Sequence, residues 1–487
     1  MKKMRLILFS VICVMLISGL SPVLEITSDV QAGEPCEPDP DTGPTYYQPG
    51  SWLLTSTWKG DDWYKNKTPM DGAEHSGLGC WSVAVGQILR YHELQSSGFV
   101  EIPTAWRTHV SSDLDDHQYV WPFVVDELDD TANCGSFGFW PYMQSKECRE
   151  IDATSTFLYD VALVVGKKFT TTEYLYGFRG AISRVEAYFY HVYQDSCFRY
   201  TNPYKGKGGH DEDIEIIKGE IDHYRPVLLH IKGEMDCTHP LPADRDHPAP
   251  GHAVVIDGYE YRDGEFWVHI NFGWNGTADD WYEYKDIGDT GRTDYCRKYD
   301  HPRRQLMFFR VMTPEQRMWE IESLLLVYKE SGDPFRNLMI DQARDDIMAA
   351  LNPDYWIGDG LHLDLVEGYK VFVNLSLAAV KLGFVRGYSD ISFQKIQNML
   401  ASNPAILAKI ALHEAKHTLT QNSWNLPIVA ELIANAEREM EYAETYRTFG
   451  RYESAILRFG TAWELANRAK MCAFSQSFFC STITTTP

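Results

Sequence analysis

Beyond residue 20 the chain has no run of about 18 uncharged apolar residues, the length a membrane-spanning helix needs. The apolar run at the start, Leu6 to Leu20, is too short for one and follows Lys2, Lys3 and Arg5. It leads to Val30-Gln31-Ala32, a small-residue cleavage pattern, so residues 1–32 read as a secretory signal peptide. No lipobox surrounds Cys13, and no lipid anchor is expected. Positive charge is also scarce: 45 Lys and Arg face 68 Asp and Glu, a net charge of −23. Such acidity repels phosphate backbones and anionic lipid, which argues against nucleic-acid and membrane partners. The expectation is a soluble, exported protein with no membrane span.

Cysteine is plentiful by contrast. Ten cysteines less Cys13, which leaves with the signal, give nine: Cys36, Cys80, Cys134, Cys148, Cys197, Cys237, Cys296, Cys472 and Cys480. Export permits disulfides, and an odd number leaves one thiol unpaired. If Cys80 is that thiol, four bridges can form among the rest. Cys134–Cys148 and Cys472–Cys480 are the nearest local closures, with Cys197–Cys237 a third.

Cys80 has the setting of a nucleophile. Ser76-Gly77-Leu78-Gly79 is a small-residue turn, and Cys80-Trp81-Ser82-Val83-Ala84-Val85-Gly86-Gln87-Ile88-Leu89-Arg90-Tyr91 opens an amphipathic helix. A thiol at a helix N-terminus meets unpaired backbone N–H groups and the positive end of the macrodipole, both of which favour thiolate. Its partners lie downstream. Gly251-His252-Ala253-Val254-Val255-Ile256-Asp257-Gly258 and Phe266-Trp267-Val268-His269-Ile270-Asn271 both read as strands. Antiparallel pairing across Arg262-Asp263-Gly264 brings His252 and Asn271 near one another. A thiolate needs an imidazole to hold its proton, and the imidazole needs an acceptor to fix its tautomer. His92 and His269 read as structural.

Gly79-Cys80 with Gln87 to His92, Gly251 to Gly258, and Ile270-Asn271-Phe272-Gly273-Trp274 resemble the streptopain family of papain-like cysteine peptidases, over about Ser51 to Val311. The resemblance implies an α+β papain-like peptidase domain and a cysteine endopeptidase that needs no metal or organic cofactor. By motif, Cys80 would be the nucleophile, His252 the general acid/base and Asn271 the orienting residue. Trp274 would wall off their hydrogen bond from water. Where the family carries Trp-Asp-Gln before its cysteine, this chain reads Trp58-Lys59-Gly60-Asp61, so the glutamine that donates to the oxyanion is missing. Only about fifty residues separate Ala32 from Cys80, which leaves no room for the family's long inhibitory pro-segment. An inactive papain-like binding protein is the alternative that the missing glutamine raises.

A second domain is expected from about residue 314, giving a 33–313 peptidase domain and a 314–487 all-α helical bundle. Thr313-Pro314-Glu315 is a helix start, with an N-cap, a first-turn proline and early acid. Met318, Ile321, Leu324, Leu325 and Tyr328 form one apolar stripe. Val429, Leu432, Ile433, Ala436, Met440 and Ala443 form a second, and Ala455, Ile456, Phe459, Ala462, Trp463 and Ala466 a third. Gly450 separates the last two helices into an antiparallel hairpin. Docking of targets or of a cell surface is one role open to this domain. Within it, His413-Glu414-Ala415-Lys416-His417 matches the zinc-peptidase pattern H-E-x-x-H, with Glu431 as a third candidate ligand. The same five residues also suit a partly solvated helix face. The partners expected of the whole are protein or peptide substrates.

Overall fold

Period-2 apolar sequence between residues 227 and 283 builds the centre of the protein, an antiparallel sheet. The computed structural model describes residues 47–93, 119–129, 134, 145–167, 169, 198–201, 210–235, 251–286, 297–309, 313–326, 328–329, 333–358, 360–385, 391–421 and 426–474. The sheet's strands are β1 (Phe198–Thr201), β2 (Val227–Met235), β3 (Gly251–Arg262), β4 (Glu265–Asn271), β5 (Asp280–Glu283) and β6 (Arg297–Phe309), in the spatial order β1-β6-β2-β3-β4-β5. β3 and β4 form the expected hairpin. Arg262 pairs with Glu265 around Asp263 and Gly264, both at positive φ (51° and 86°), the geometry of a two-residue turn that follows the strand twist. The register slips between Ile256 and Gly258, so Asp257 is bulged out.

Alternate residues of the sheet face different layers. Leu228, Ala253 and Val255 join a core with helix α1 (Cys80–Tyr91) and helix α2 (Lys146–Val164). Val227, Leu229, Ile231, Val254, Ile256, Val268 and Ile270 join another with Ile214, Ile217 and Ile221 of helix α3 (His210–Asp222). Residues 81–89 of α1 are all buried, so the helix is locked on every side along its middle turns.

The remainder is helical: α4 (Pro314–Leu325), α5 (Pro334–Ala350), α6 (Tyr369–Val385), α7 (Ile391–Gln421), α8 (Leu426–Thr448) and α9 (Tyr452–Phe474). The start of α4 is the expected cap. Thr313 Oγ1 accepts from the Gln316 N–H, and the Gln316 side chain accepts from the Thr313 N–H, a reciprocal capping box. Met318, Ile321, Val429, Leu432, Ala455, Phe459 and Trp463 share one core, and Gly450 turns α8 into α9 at φ 67°.

Asp41–Pro487 forms one compact unit, because the helices also pack onto the sheet region. Ile406 and Ile410 of α7 enter the core of the sheet and α3. Arg317 Nη1 donates to the His92 carbonyl at 2.9 Å, at the C-terminal end of α1. Next to it the fully buried Glu93 faces Arg447 of α8 (2.9 Å), Lys409 of α7 and Arg90 (3.6 Å). Burial alone would raise the Glu93 pKa, but Arg447, Lys409 and Arg90 hold it well below the usual carboxylate range.

Candidate active site

Gly79 sits at φ 82°, a conformation open to glycine, and turns the chain so that Cys80 becomes the first residue of α1. The thiol is half-buried and is the free cysteine among the described residues. Cys134 and Cys148 are joined in a disulfide, as expected, and Cys472 is disulfide-bonded. Cys36, Cys197, Cys237, Cys296 and Cys480 lie outside the described residues.

Burial pushes the Cys80 thiol pKa up. The backbone N–H groups of Ala253, Trp81 and Cys80 itself pull it down, as does the Lys167 ammonium. The helix terminus therefore acts in the expected direction, but desolvation outweighs it. Ala253 belongs to β3, so the sulfur lies against the strand that carries His252. Lys167 follows the C-terminus of α2, where its N–H caps the Ala162 carbonyl at 2.9 Å; burial lowers the ammonium and Cys80 raises it. Its place at the thiol is invisible in sequence, since eighty-odd residues of chain intervene.

His252 is buried, and its Nε2 lies 2.9 Å from the carbonyl oxygen of Phe272. Trp274 stacks on the imidazole at 4.7 Å between ring centroids and 23° between planes, and Phe272 lies 5.1 Å from Trp274. Trp274 therefore lies over one face of the imidazole.

Asn271 is placed differently from expectation. The β3–β4 register sets it opposite Val255, three residues along the strand from His252. Its Oδ1 accepts from Gln87 Nε2 at 2.9 Å and from the Gly273 N–H at 3.0 Å, and its Nδ2 donates to the Ser56 carbonyl at 2.7 Å. Gln87 Nε2 also donates to Ser56 at 3.1 Å. The carboxamide thus ties α1 to the end of β4, and the acceptor facing His252 is the backbone carbonyl of the following residue. Gly273, at φ 67°, allows this close seating: a Cβ there would stand 2.9 Å from Val83 Cγ1 on α1.

The strand-like segment before Cys80 closes the other side. Lys59 bridges Trp274, and the Gly60 carbonyl accepts from the Leu78 N–H at 3.0 Å. A Cβ on Gly60 would lie 3.5 Å from the Gly79 nitrogen, so a side chain at position 60 would face the turn that presents Cys80.

His269 pairs with Asp257 (Nδ1 to Oδ1, 2.7 Å), stacks on Trp52 at 4.7 Å, and is a structural histidine. Its pKa is raised: burial lowers it, but the Asp257 carboxylate wins. Asp257 also accepts from the Leu54 N–H at 3.0 Å, which explains the bulge that turns its side chain inward.

The H-E-x-x-H motif does not converge on a metal position. Both Glu414 oxygens are occupied, Oε1 by the Tyr224 hydroxyl and by His362 Nε2 at 2.8 Å, and Oε2 by Lys470. Burial raises the Glu414 carboxyl and these donors bring it down to about 2. His413 Nε2 points to Ser51 Oγ at 3.2 Å, and Glu431 is exposed. Among the described residues no group of three or more His, Cys, Asp and Glu side chains is arranged to hold a metal ion. The motif instead docks α7 against Tyr224 and the loop at Ser51.

Residues 58–282, a little under half of the chain, match the model of the Peptidase C10 family. That span holds Cys80, His252, Asn271 and Trp274. Among solved structures, the chain is similar to active wild-type interpain A cysteine protease of Prevotella intermedia, at 18% identity and a TM-score of 0.36, covering 53% of this chain and 93% of that one. A prointerpain A fragment from the same organism is similar at 19% identity and a TM-score of 0.33, covering 54% and 71%. No curated protein sequence matches the chain. Residues 58–282 thus match the Peptidase C10 family model, that of the streptopain family which the three motifs resemble.

Proposed function

We propose that the protein is an exported cysteine endopeptidase of papain-like fold in which Cys80 attacks the peptide bond and His252 carries the proton. One observation carries the reading. The free thiol at the start of α1 accepts from the Ala253 N–H, and Ala253 is the residue after a histidine whose far ring nitrogen is already held. An Nε2 fixed on a carbonyl acceptor is an N–H donor, which leaves Nδ1 as the base. His252 takes the Cys80 proton, and the thiolate adds to the scissile carbonyl. The oxyanion meets the Cys80 N–H at the helix terminus. His252 then protonates the leaving amine, the C–N bond breaks, and water, deprotonated by His252, releases the acyl group from sulfur. Trp274 covers the His252–Phe272 bond, and Asn271 with Gln87 sets the distance between α1 and β4.

Protein or peptide substrates follow from the reaction. Export rests on the residues 1–32 signal pattern. The helical region is proposed to brace α1 through Glu93, Arg447, Lys409 and Arg317, since these contacts meet the nucleophile helix at its far end.

The test is casein hydrolysis by wild type and Cys80→Ala, each with and without a metal chelator. Activity that survives chelator and vanishes with Cys80→Ala is expected. Activity retained by Cys80→Ala and removed by chelator would sink the reading.

A further inference from the structure

The loop between β4 and β5 runs from Phe272 to Asp279 and leaves the sheet after the Ile270–Asp280 pair. The Phe272 N–H is therefore past the last ladder position. Asp279 takes over: its Oδ1 accepts from the Phe272 N–H at 2.7 Å. Phe272 in turn offers its carbonyl to His252 Nε2 at 2.9 Å. One carboxylate thus fixes the residue whose oxygen holds the imidazole. The backbone between them is constrained further, because the Thr277 N–H donates to Trp274 at 3.1 Å and the Asp279 N–H to Gly276 at 3.3 Å.

We propose that Asp279 is a positioning residue for His252, holding the Phe272 backbone so that its carbonyl keeps the imidazole turned toward Cys80. The proposal rests on the cysteine-peptidase reading of the site. It assigns a role to a residue that no motif in the sequence singles out.

The electrostatic surroundings make the role titratable. Asp279 is flanked by Asp257 on β3, His269 on β4, and Asp280 and Tyr282 on β5. Burial pushes its carboxyl up to about 6, with Asp257 adding to the rise and the Phe272 N–H and His269 opposing it. Below that pH the carboxyl is neutral and a weaker acceptor. The grip on Phe272 then loosens, so the acid limb of activity contains the Asp279 ionisation.

A carboxylate that only capped a turn would affect stability alone. The discriminating experiment uses the full chain, wild type, Asp279→Asn, Asp279→Ala and Cys80→Ala. It measures kcat and KM on a peptide substrate, and the rate of Cys80 alkylation by iodoacetamide, across pH 4–9. Losing the acceptor of a buried N–H lowers kcat for Asp279→Ala by about tenfold, with KM little changed. Asp279→Asn keeps an acceptor, recovers most of the rate at pH 7.5, and loses the ionisation near pH 6 from both profiles. Folded Asp279→Asn with wild-type profiles in hydrolysis and alkylation overturns the proposal, and it decides the matter if Asp279→Ala does not fold. Hydrolysis that persists in Cys80→Ala overturns the peptidase reading instead, and the proposal with it.

Discussion

Gln87 and Asn271, 184 residues apart in sequence, are joined by a buried hydrogen bond of 2.9 Å from Nε2 to Oδ1. Gln87 lies two turns along α1 from Cys80, and Asn271 ends the strand that leads to the His252 acceptor. The bond makes the separation of sulfur and imidazole a property of the core. Asn271→Ala leaves buried donors of Gln87 and Gly273 unpaired and is expected to cost about 1–3 kcal/mol of stability. A double-mutant cycle with Gln87→Ala should show a coupling of roughly 0.5–3 kcal/mol in urea denaturation. Strict additivity would mean that the bond joins nothing.

Gly60 stands where the family carries its oxyanion-donating glutamine, and its Cβ position is at ordinary contact distance, 3.5 Å, from Gly79 N. Its φ is outside the left-handed region, so a side chain is tolerated. Gly60→Gln is expected to raise kcat, toward the roughly 10²–10³-fold that one oxyanion donor provides. KM should change less than kcat. An unchanged or lower kcat in a folded variant would show that another group already fills that role.

Glu93 joins the end of α1 to Arg447, whose side chain is 1% exposed, and to Lys409. Glu93→Gln removes the carboxylate that Arg447 and Lys409 share, leaving the buried Arg447 with Glu444 alone, and should destabilise the protein by about 3 kcal/mol. If the helical region braces α1, residual activity of the variant should fall at urea concentrations that leave wild type active. A neutral effect on the urea midpoint would remove the brace.

Acid should weaken the protein in two stages. Burial holds His413 near pKa 4 and His92 well below its ordinary range, so both are neutral when folded. Between about pH 6.5 and 4 the unfolded chain binds more protons than the native one, and stability falls as pH falls. Glu93 and Glu414 are held low by their cationic partners and extend the loss below about 4.5. Asp279, raised from 3.8 to about 6, works in the opposite direction between those values. Thermal melts from pH 8 to 4 should show the decline, and His413→Gln should flatten its first stage. A melting temperature constant down to pH 4.5 would contradict the assignment.

Local signals were readable. The Gly79-Cys80 helix start, the Asp263-Gly264 turn, the Thr313 N-cap and the stripes of α8 and α9 each depend on neighbours in sequence, and each formed as expected. Side-chain identity also singled out Cys80, His252, Asn271 and Trp274 as candidates. The acceptor of His252 was not readable, because a backbone carbonyl has no residue type and the Asn271 carboxamide is taken by Gln87 and the Gly273 N–H, the first of them 184 residues away in sequence. Asp279 resembles any aspartate closing a turn. The sequence left the H-E-x-x-H pattern open between a zinc site and a helix face for a related reason: His362, Lys470 and Tyr224, which occupy Glu414, come from three distant segments. The docking of α7 and α8 on α1 through Glu93 is likewise a long-range contact that helix periodicity cannot show.

The most direct measurement is covalent labelling of the native full-length protein with a thiol-directed peptidase inhibitor, followed by peptide mapping and residual activity. The account predicts that Cys80 is the labelled residue and that proteolysis disappears in proportion to its modification. Full proteolytic activity in protein whose Cys80 is completely modified would contradict it.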